Sequence, residues 1–131
     1  MLIAVYGSLR KGCHNHNLLE KKEVTYMGRF DTLPIYTLKS LTHYPALIEK
    51  GTTSIVMEVY KVDKVTSESV NRLEGYLGTN NSNNLYNKET ILTPYGEASV
   101  FLFANAKRIE NHPICEGGDW KDYLSTRLKI N

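Results

Sequence analysis

The chain has 131 residues, a formal net charge of +2 from sixteen Lys and Arg against fourteen Asp and Glu, and 41% hydrophobic residues. This length suits a single domain over residues 1–131, and the near-average composition argues against disorder, collagen-like sequence and coiled coil. The small charge argues against a dedicated nucleic-acid partner, which leaves a basic stripe on its binder. No apolar run nears the ~20 residues a membrane helix needs. The opening Met1-Leu2-Ile3-Ala4-Val5-Tyr6 has neither the basic region nor the cleavage site of a signal peptide. Two cysteines, Cys13 and Cys115, are too few for a secreted disulfide scaffold. The expectation is a cytoplasmic protein with no membrane or nucleic-acid partner, and monomer is the default because no surface pattern marks an oligomer.

In chain order, Leu2 to Tyr6 is a short apolar run stopped by Gly7-Ser8, which predicts a strand buried on both faces. A short helix is possible near Asn15 to Lys21, and Glu23 to Phe30 is a strand candidate. Pro34, Pro45 and Pro94 mark turns. Ser54 to Tyr60 alternates Ile55, Met57 and Val59 against Val56, Glu58 and Tyr60, and so predicts a strand. Asp63 or Thr66 can cap a helix carrying Val70, Leu73 and Leu77, with Gly75 as its stop. The run Gly78-Thr79-Asn80-Asn81-Ser82-Asn83-Asn84 reads as an exposed loop. Tyr86 to Thr93 is a further strand candidate, and Glu97 to Phe103 predicts a strand that places Ala98, Val100 and Leu102 opposite Ser99, Phe101 and Phe103. From Asp119, an amphipathic helix carries Trp120, Tyr123, Leu124 and Leu128 on one stripe. Many strands without regular βαβ alternation predict an α+β protein with a curled or barrel-like sheet.

Two stretches carry candidate chemistry. In Tyr6-Gly7-Ser8-Leu9-Arg10-Lys11-Gly12 a strand ends in a turn whose consecutive N–H groups can cradle an anion or a carbonyl. A plain capped turn fits the spacing as well. The stretch is no P-loop, because no Lys-Ser/Thr follows Gly12, and no nucleophile elbow, because Tyr6 and Arg10 stand where glycines belong. Arg10 and Lys11 read most simply as solvated charges, although Arg10 is near enough to the turn to meet a substrate carboxylate. The second stretch is Leu73-Glu74-Gly75-Tyr76. A carboxylate at a helix C-terminus in apolar surroundings has a raised pKa and suits proton transfer near neutrality; the alternative is a solvated glutamate. Cys13-His14-Asn15-His16 and His112-Pro113-Ile114-Cys115 lack metal-site spacing, so no metal is expected and reduced thiols are the default.

These residues together resemble the γ-glutamylcyclotransferase-like superfamily, which includes γ-glutamylamine cyclotransferases and avirulence-induced-gene-like proteins. Val5-Tyr6-Gly7-Ser8-Leu9 is similar to the family's substrate loop, Tyr44-Pro45-Ala46-Leu47-Ile48 to its Tyr-Pro turn, and Glu58-Val59-Tyr60 to a family strand. Leu73-Glu74-Gly75-Tyr76 matches the segment with the family's catalytic glutamate, Leu85-Tyr86 a second pocket segment, and Gly118-Asp119-Trp120 a motif of bacterial members. The matches run in order over nearly the whole chain. Met57 replaces a common glycine, and the basic residue usual after Tyr86 comes one place later, as Lys88.

The resemblance implies a mixed β-barrel with flanking helices and a cavity beside the Tyr6–Leu9 loop. It also implies an enzyme, without metal or organic cofactor, that cyclises a γ-glutamyl amino acid or γ-glutamylamine to 5-oxoproline and frees the amine. On that reading Glu74 is the catalytic acid–base, and Tyr6, Gly7, Ser8, Leu9 and Tyr86 bind substrate, with a phenol available to orient Glu74 or the ligand. The alternative is a binding module that keeps the cavity without the reaction. The leaving group is not legible, although the polar 78–84 loop hints at an open mouth.

Overall fold

The structure is a computed structural model that describes the backbone of residues 1–130 and the side chains of residues 1–127. The described residues form seven strands and two α-helices: β1 (Leu2–Val5), β2 (Thr25–Asp31), β3 (Tyr36–Ser40), β4 (Pro45–Thr53), β5 (Val56–Lys61), α1 (Lys64–Leu73), β6 (Tyr86–Thr93), β7 (Gly96–Phe103) and α2 (Trp120–Ile130). Short 3₁₀ turns occupy His16–Leu19 and Ala106–Ile109. Five strands make one sheet in the order β2-β5-β1-β7-β6, and β3 and β4 form a separate hairpin.

Strand β1 lies at the centre, antiparallel to β5 with Val5 opposite Glu58, and parallel to β7 with Ile3 opposite Ser99. Its unbroken apolar sequence follows from that position, because a central strand covered on both faces has no side to give to water. Ala4 packs on one face with Leu38, Leu47, Met57, Val59, Val100 and Trp120. Ile3 and Val5 pack on the other with Leu19, Tyr60, Val70, Phe101 and Ile109. The β3–β4 hairpin and α2 therefore cover the first face, and α1 with the two 3₁₀ turns covers the second. The predicted alternations in β5 and β7 both hold: Ile55, Met57 and Val59 share the first core with Ala98 and Val100, and Tyr60 and Phe101 lie in the second.

The α+β class stands, but the sheet is not closed into the expected barrel. Its edge strands β2 and β6 share no ladder, because a groove lined by Phe30, Leu33, Ile35, Ile91 and Leu92 lies between them. A side chain spans the gap instead: the Tyr95 hydroxyl, on the β6–β7 turn, donates to the Arg29 carbonyl at 3.1 Å. The ring reaches over Gly28, at φ +149°, where any side chain would collide with the phenol. Gly28 also sits at a break in the β2–β5 register, so one glycine both bends the edge strand and admits its clasp.

The β3–β4 hairpin is an addition to the sequence reading, and Pro45 opens β4 instead of marking only a turn, a place where a strand tolerates proline. Helix α1 ends at Leu73, short of Leu77, because Gly75 takes φ +63° and turns the chain away. Of the three predicted apolar positions Val70 alone is buried; Leu73 and Leu77 are exposed, and Thr66 and Ser67 complete the inner face. In α2, Trp120 is buried and Tyr123 and Leu124 pack against the core as the stripe predicts; the Leu128 side chain lies outside the described residues. No described helix is long and apolar enough to cross a membrane.

Candidate active site

The loop after β1 owes its shape to inward-turned carbonyls. The Gly7 carbonyl accepts from Arg10 N–H at 3.0 Å and the Ser8 carbonyl from Asn15 N–H at 2.9 Å. The Leu9 carbonyl faces Nδ1 of His16 at 2.9 Å, which requires the tautomer with its proton there. Asn15 also donates its side-chain amide to Ser8 Oγ at 3.0 Å. With the carbonyls engaged, the N–H groups of Gly7, Ser8 and Leu9 donate to no other described group. A peptide folded in this way presents its positive dipole ends to a ligand.

Gly7 lies hard against the neighbouring hairpin, since a Cβ there would stand 2.6 Å from Cδ and 2.7 Å from Cγ of Pro45. Beside this contact is a small cavity of about 30 Å³, lined by Tyr6, Gly7, Ser8, Leu9, Tyr44, Pro45, Glu74, Tyr86 and Phe101 among others. A buried water requires ~10–15 Å³ of such space, so the cavity holds one or two. All six residues singled out in the sequence for catalysis or substrate binding line this cavity. They come from β1 and its loop, from the end of α1, and from the start of β6.

Glu74 occupies the C-cap of α1, its N–H bonded to the Val70 carbonyl. Its carboxyl has no hydrogen-bond partner among the described residues, and burial pushes it up to about 7. The cause is desolvation, the apolar setting that the sequence reading named beside the helix end; an unpaired carboxyl in a low-dielectric pocket holds its proton. Tyr6 and Tyr86 are also pushed above the ordinary phenol range, mainly by burial, with the charge of Glu74 adding to both.

The phenols correct one expectation. Tyr6 donates its proton to the Phe101 carbonyl at 2.5 Å, and Tyr86 donates to the Pro45 carbonyl at 2.9 Å. Neither proton is free to orient Glu74 or a ligand. Among the lining side chains the uncommitted hydroxyl protons are those of Ser8 and Tyr44.

Arg10 corrects another. It is no solvated charge and it does not reach the cavity; only 2% of its surface is exposed. Its Nε donates to Glu58 Oε2 at 2.9 Å and Nη1 to Asp119 Oδ1 at 2.8 Å. Glu58 Oε1 accepts from Lys11 N–H at 2.9 Å and from the Tyr60 hydroxyl at 2.8 Å. Burial alone would raise the Glu58 pKa, but these hydrogen bonds outweigh it and hold the carboxyl below its ordinary value. Asp119 is lowered likewise, burial being outweighed by Arg10 and by the Asp122 N–H. Sequence spacing hides this network because its members stand 48 and 109 residues apart.

The remaining candidates serve structure. His16 is committed to the Leu9 carbonyl. Cys13 and Cys115 are unpaired, and burial pushes the Cys115 thiol up to about 12. Asn84 departs from the exposed loop predicted over 78–84: it is buried and fastens that loop, accepting from Leu77 N–H at 2.6 Å and donating to the Gly78 carbonyl at 2.8 Å. It thereby sets the chain path from Glu74 to Tyr86. Lys88 lies 5.0 Å from the ring centroid of Tyr76 and 5.6 Å from that of Phe101, a cavity wall.

The loop that follows the central strand and the Glu74 carboxyl at the end of α1 thus line one cavity. The chain belongs to the family described as Gamma-glutamyl cyclotransferase, AIG2-like, which matches residues 3–122. It is 36% identical over 119 residues, 91% of this chain and 94% of the relative, to a Vibrio cholerae protein named "Putative gamma-glutamylcyclotransferase". It is 30% identical over 119 residues, 91% of this chain and 74% of the relative, to the gamma-L-glutamyl-butirosin B gamma-glutamyl cyclotransferase of Niallia circulans. The crystal structure of an uncharacterised protein from Pyrococcus horikoshii superposes with a TM-score of 0.74 at 30% identity, covering 99% of this chain and 95% of that one.

Proposed function

We propose that the protein cyclises a γ-glutamyl amino acid or γ-glutamylamine to 5-oxoproline and releases the free amine, without a cofactor. The observation that carries this reading is the pairing, in one cavity, of the Gly7–Leu9 N–H cradle with Glu74, whose pKa of about 7 lets it both take and return a proton. In such a substrate the α-amine can close a five-membered ring on the γ-carbonyl, so the nucleophile is already present. Effective molarities of about 10⁵–10⁸ M for well-oriented intramolecular attack make holding the folded-back conformer a large part of the task.

Glu74 takes a proton from the α-ammonium. The amine lone pair then attacks the γ-carbonyl carbon, forming the ring C–N bond while the carbonyl electrons move onto oxygen. Glu74 returns that proton to the leaving nitrogen as the oxyanion collapses and the bond to that nitrogen breaks. It then takes the second proton from the ring nitrogen, which is NH2+ after the attack, and passes it to the freed amine, which departs as an ammonium. No water and no net proton are consumed. The acceptor oxygens of Tyr6 and Tyr86 suit an ammonium, and the N–H cradle with the Ser8 hydroxyl suits the α-carboxylate or the oxyanion.

The test is 5-oxoproline release from a panel of γ-glutamyl amino acids and amines, with Glu74→Gln alongside. Turnover in the wild type that Glu74→Gln loses is the expected result. A folded protein that binds 5-oxoproline yet turns over no substrate would replace this reading with that of a binding module.

A further inference from the structure

We propose that Tyr44 is the specificity-determining residue of this site, contacting the leaving amine with its ring and its phenol; this rests on the cyclotransferase reading above. Of the side chains lining the cavity, Tyr44 is the exposed one, at 39%. The glutamyl half of a substrate is drawn inward, toward the buried cradle and Glu74. The amide to be broken lies on the outward side of that half, so whatever the leaving nitrogen carries passes Tyr44.

The Tyr44 hydroxyl bonds to no described group, in contrast to the phenols of Tyr6 and Tyr86. Its backbone, however, is held firmly. The turn joining β3 to β4 is closed by the Leu41 N–H on the Tyr44 carbonyl at 2.9 Å and by the Thr42 N–H on Ser40 Oγ at 3.2 Å. Thr42 stands at φ +81°, a conformation that costs a β-branched residue and that clusters at ligand clamps. On the other side Pro45 abuts Gly7 and receives the Tyr86 hydroxyl. A strained, doubly anchored turn thus presents an aromatic side chain with a free phenol at the cavity mouth. Such a group recognises an extended leaving amine, with methylenes against the ring and a hydrogen-bonding group at the phenol.

The experiment measures kcat/KM of wild type, Tyr44→Phe and Tyr44→Ala for γ-glutamylmethylamide and for the γ-glutamyl amide of 5-aminopentanol. The inhibition constant of 5-oxoproline, which fills only the glutamyl end, is measured beside them. Tyr44→Ala is expected to lower the preference for the long amide about tenfold, the scale on which pocket contacts discriminate. Tyr44→Phe is expected to give about a threefold drop, with 5-oxoproline inhibition unchanged in both variants. An unchanged preference, or a shifted 5-oxoproline constant, would make Tyr44 a prop of the pocket and overturn this proposal alone. A wild-type protein that releases 5-oxoproline from γ-glutamyl amino acids but turns over neither amide would overturn this proposal alone, and release from none of them would overturn the cyclotransferase reading with it.

Discussion

Replacing Glu58 with Gln tests whether the loop after β1 is held by buried charge. The substitution keeps the side chain's shape but leaves the Arg10 guanidinium, 2% exposed, with Asp119 as its remaining anion. It also turns an oxygen that accepts from Arg10, Lys11 N–H or Tyr60 into an amide donor facing a donor. Breaking a buried ion pair from one side costs about 3–5 kcal/mol, and the surviving Asp119 contact favours the lower end, about 3 kcal/mol. At ~2.1 cal/mol/K per residue, 131 residues unfold with roughly 0.28 kcal/mol/K, so Tm should fall by about 10 °C. Thermal unfolding followed by circular dichroism at pH 7.5 reads this directly. The acid limb gives a second reading. Glu58 and Asp119 both have folded pKa values below their unfolded ones. Their contribution is therefore complete above the unfolded carboxylate pKa, near ~4, and is lost as pH falls through the lower folded values. Wild type should lose more Tm than Glu58→Gln as acid is added below pH 4. A loss under about 3 °C at pH 7.5, with no difference on the acid side, would refute the account of a loop fixed by this network.

Further outcomes are expected at three other residues. On the proposed mechanism, in which Glu74 with its pKa of about 7 is the base, kcat/KM should rise with pH through about 7 and then level. Glu74→Gln should lower kcat about 10²–10⁴-fold. The same raised pKa means that wild type loses stability as pH climbs from ~4.5 to 7, so Glu74→Gln should have the higher Tm at pH 8 and lose that advantage below pH 5. Gly7→Ala drives a Cβ into the Pro45 ring; overpacking of this kind costs about 1–3 kcal/mol, and KM for any γ-glutamyl substrate should rise with the lower Tm. Asn84→Ala strips the Leu77 N–H and the Gly78 carbonyl of their partner. It should cost about 1–3 kcal/mol and speed amide hydrogen exchange over residues 77–84.

Local signals carried the parts of the molecule that depend on neighbours in sequence. The strand candidate Tyr86 to Thr93 has the boundaries of β6, and the Leu73-Glu74-Gly75 stop delivers a carboxyl to the cavity because a helix end and a positive-φ glycine are written in consecutive residues. The β3–β4 hairpin was less legible because Tyr36–Ser40 is short and the prolines beside it look like punctuation. Arg10 misled for a different reason: a charged residue in a polar turn reads as solvated unless its distant partners are known. Tyr6 and Tyr86 line the cavity, but the destination of their protons is not written locally, since the carbonyls that take them belong to other strands. Barrel closure failed as an expectation because it depends on whether two edge strands meet, a matter of sheet curvature and of side chains such as Tyr95.

The central place of β1 also bears on how the pocket comes into being. Its loop takes shape through Glu58 and Asp119, and its strand through pairing with Ser99. Contacts so distant along the chain make for slow folding, because loop-closure entropy is spent before they can form. A partly folded chain, even one with β2, β5 and α1 in place, would have the Tyr6–Leu9 residues but no rigid cradle. Regain of 5-oxoproline release during refolding should therefore lag behind regain of secondary structure, so that turnover reports the last step of folding.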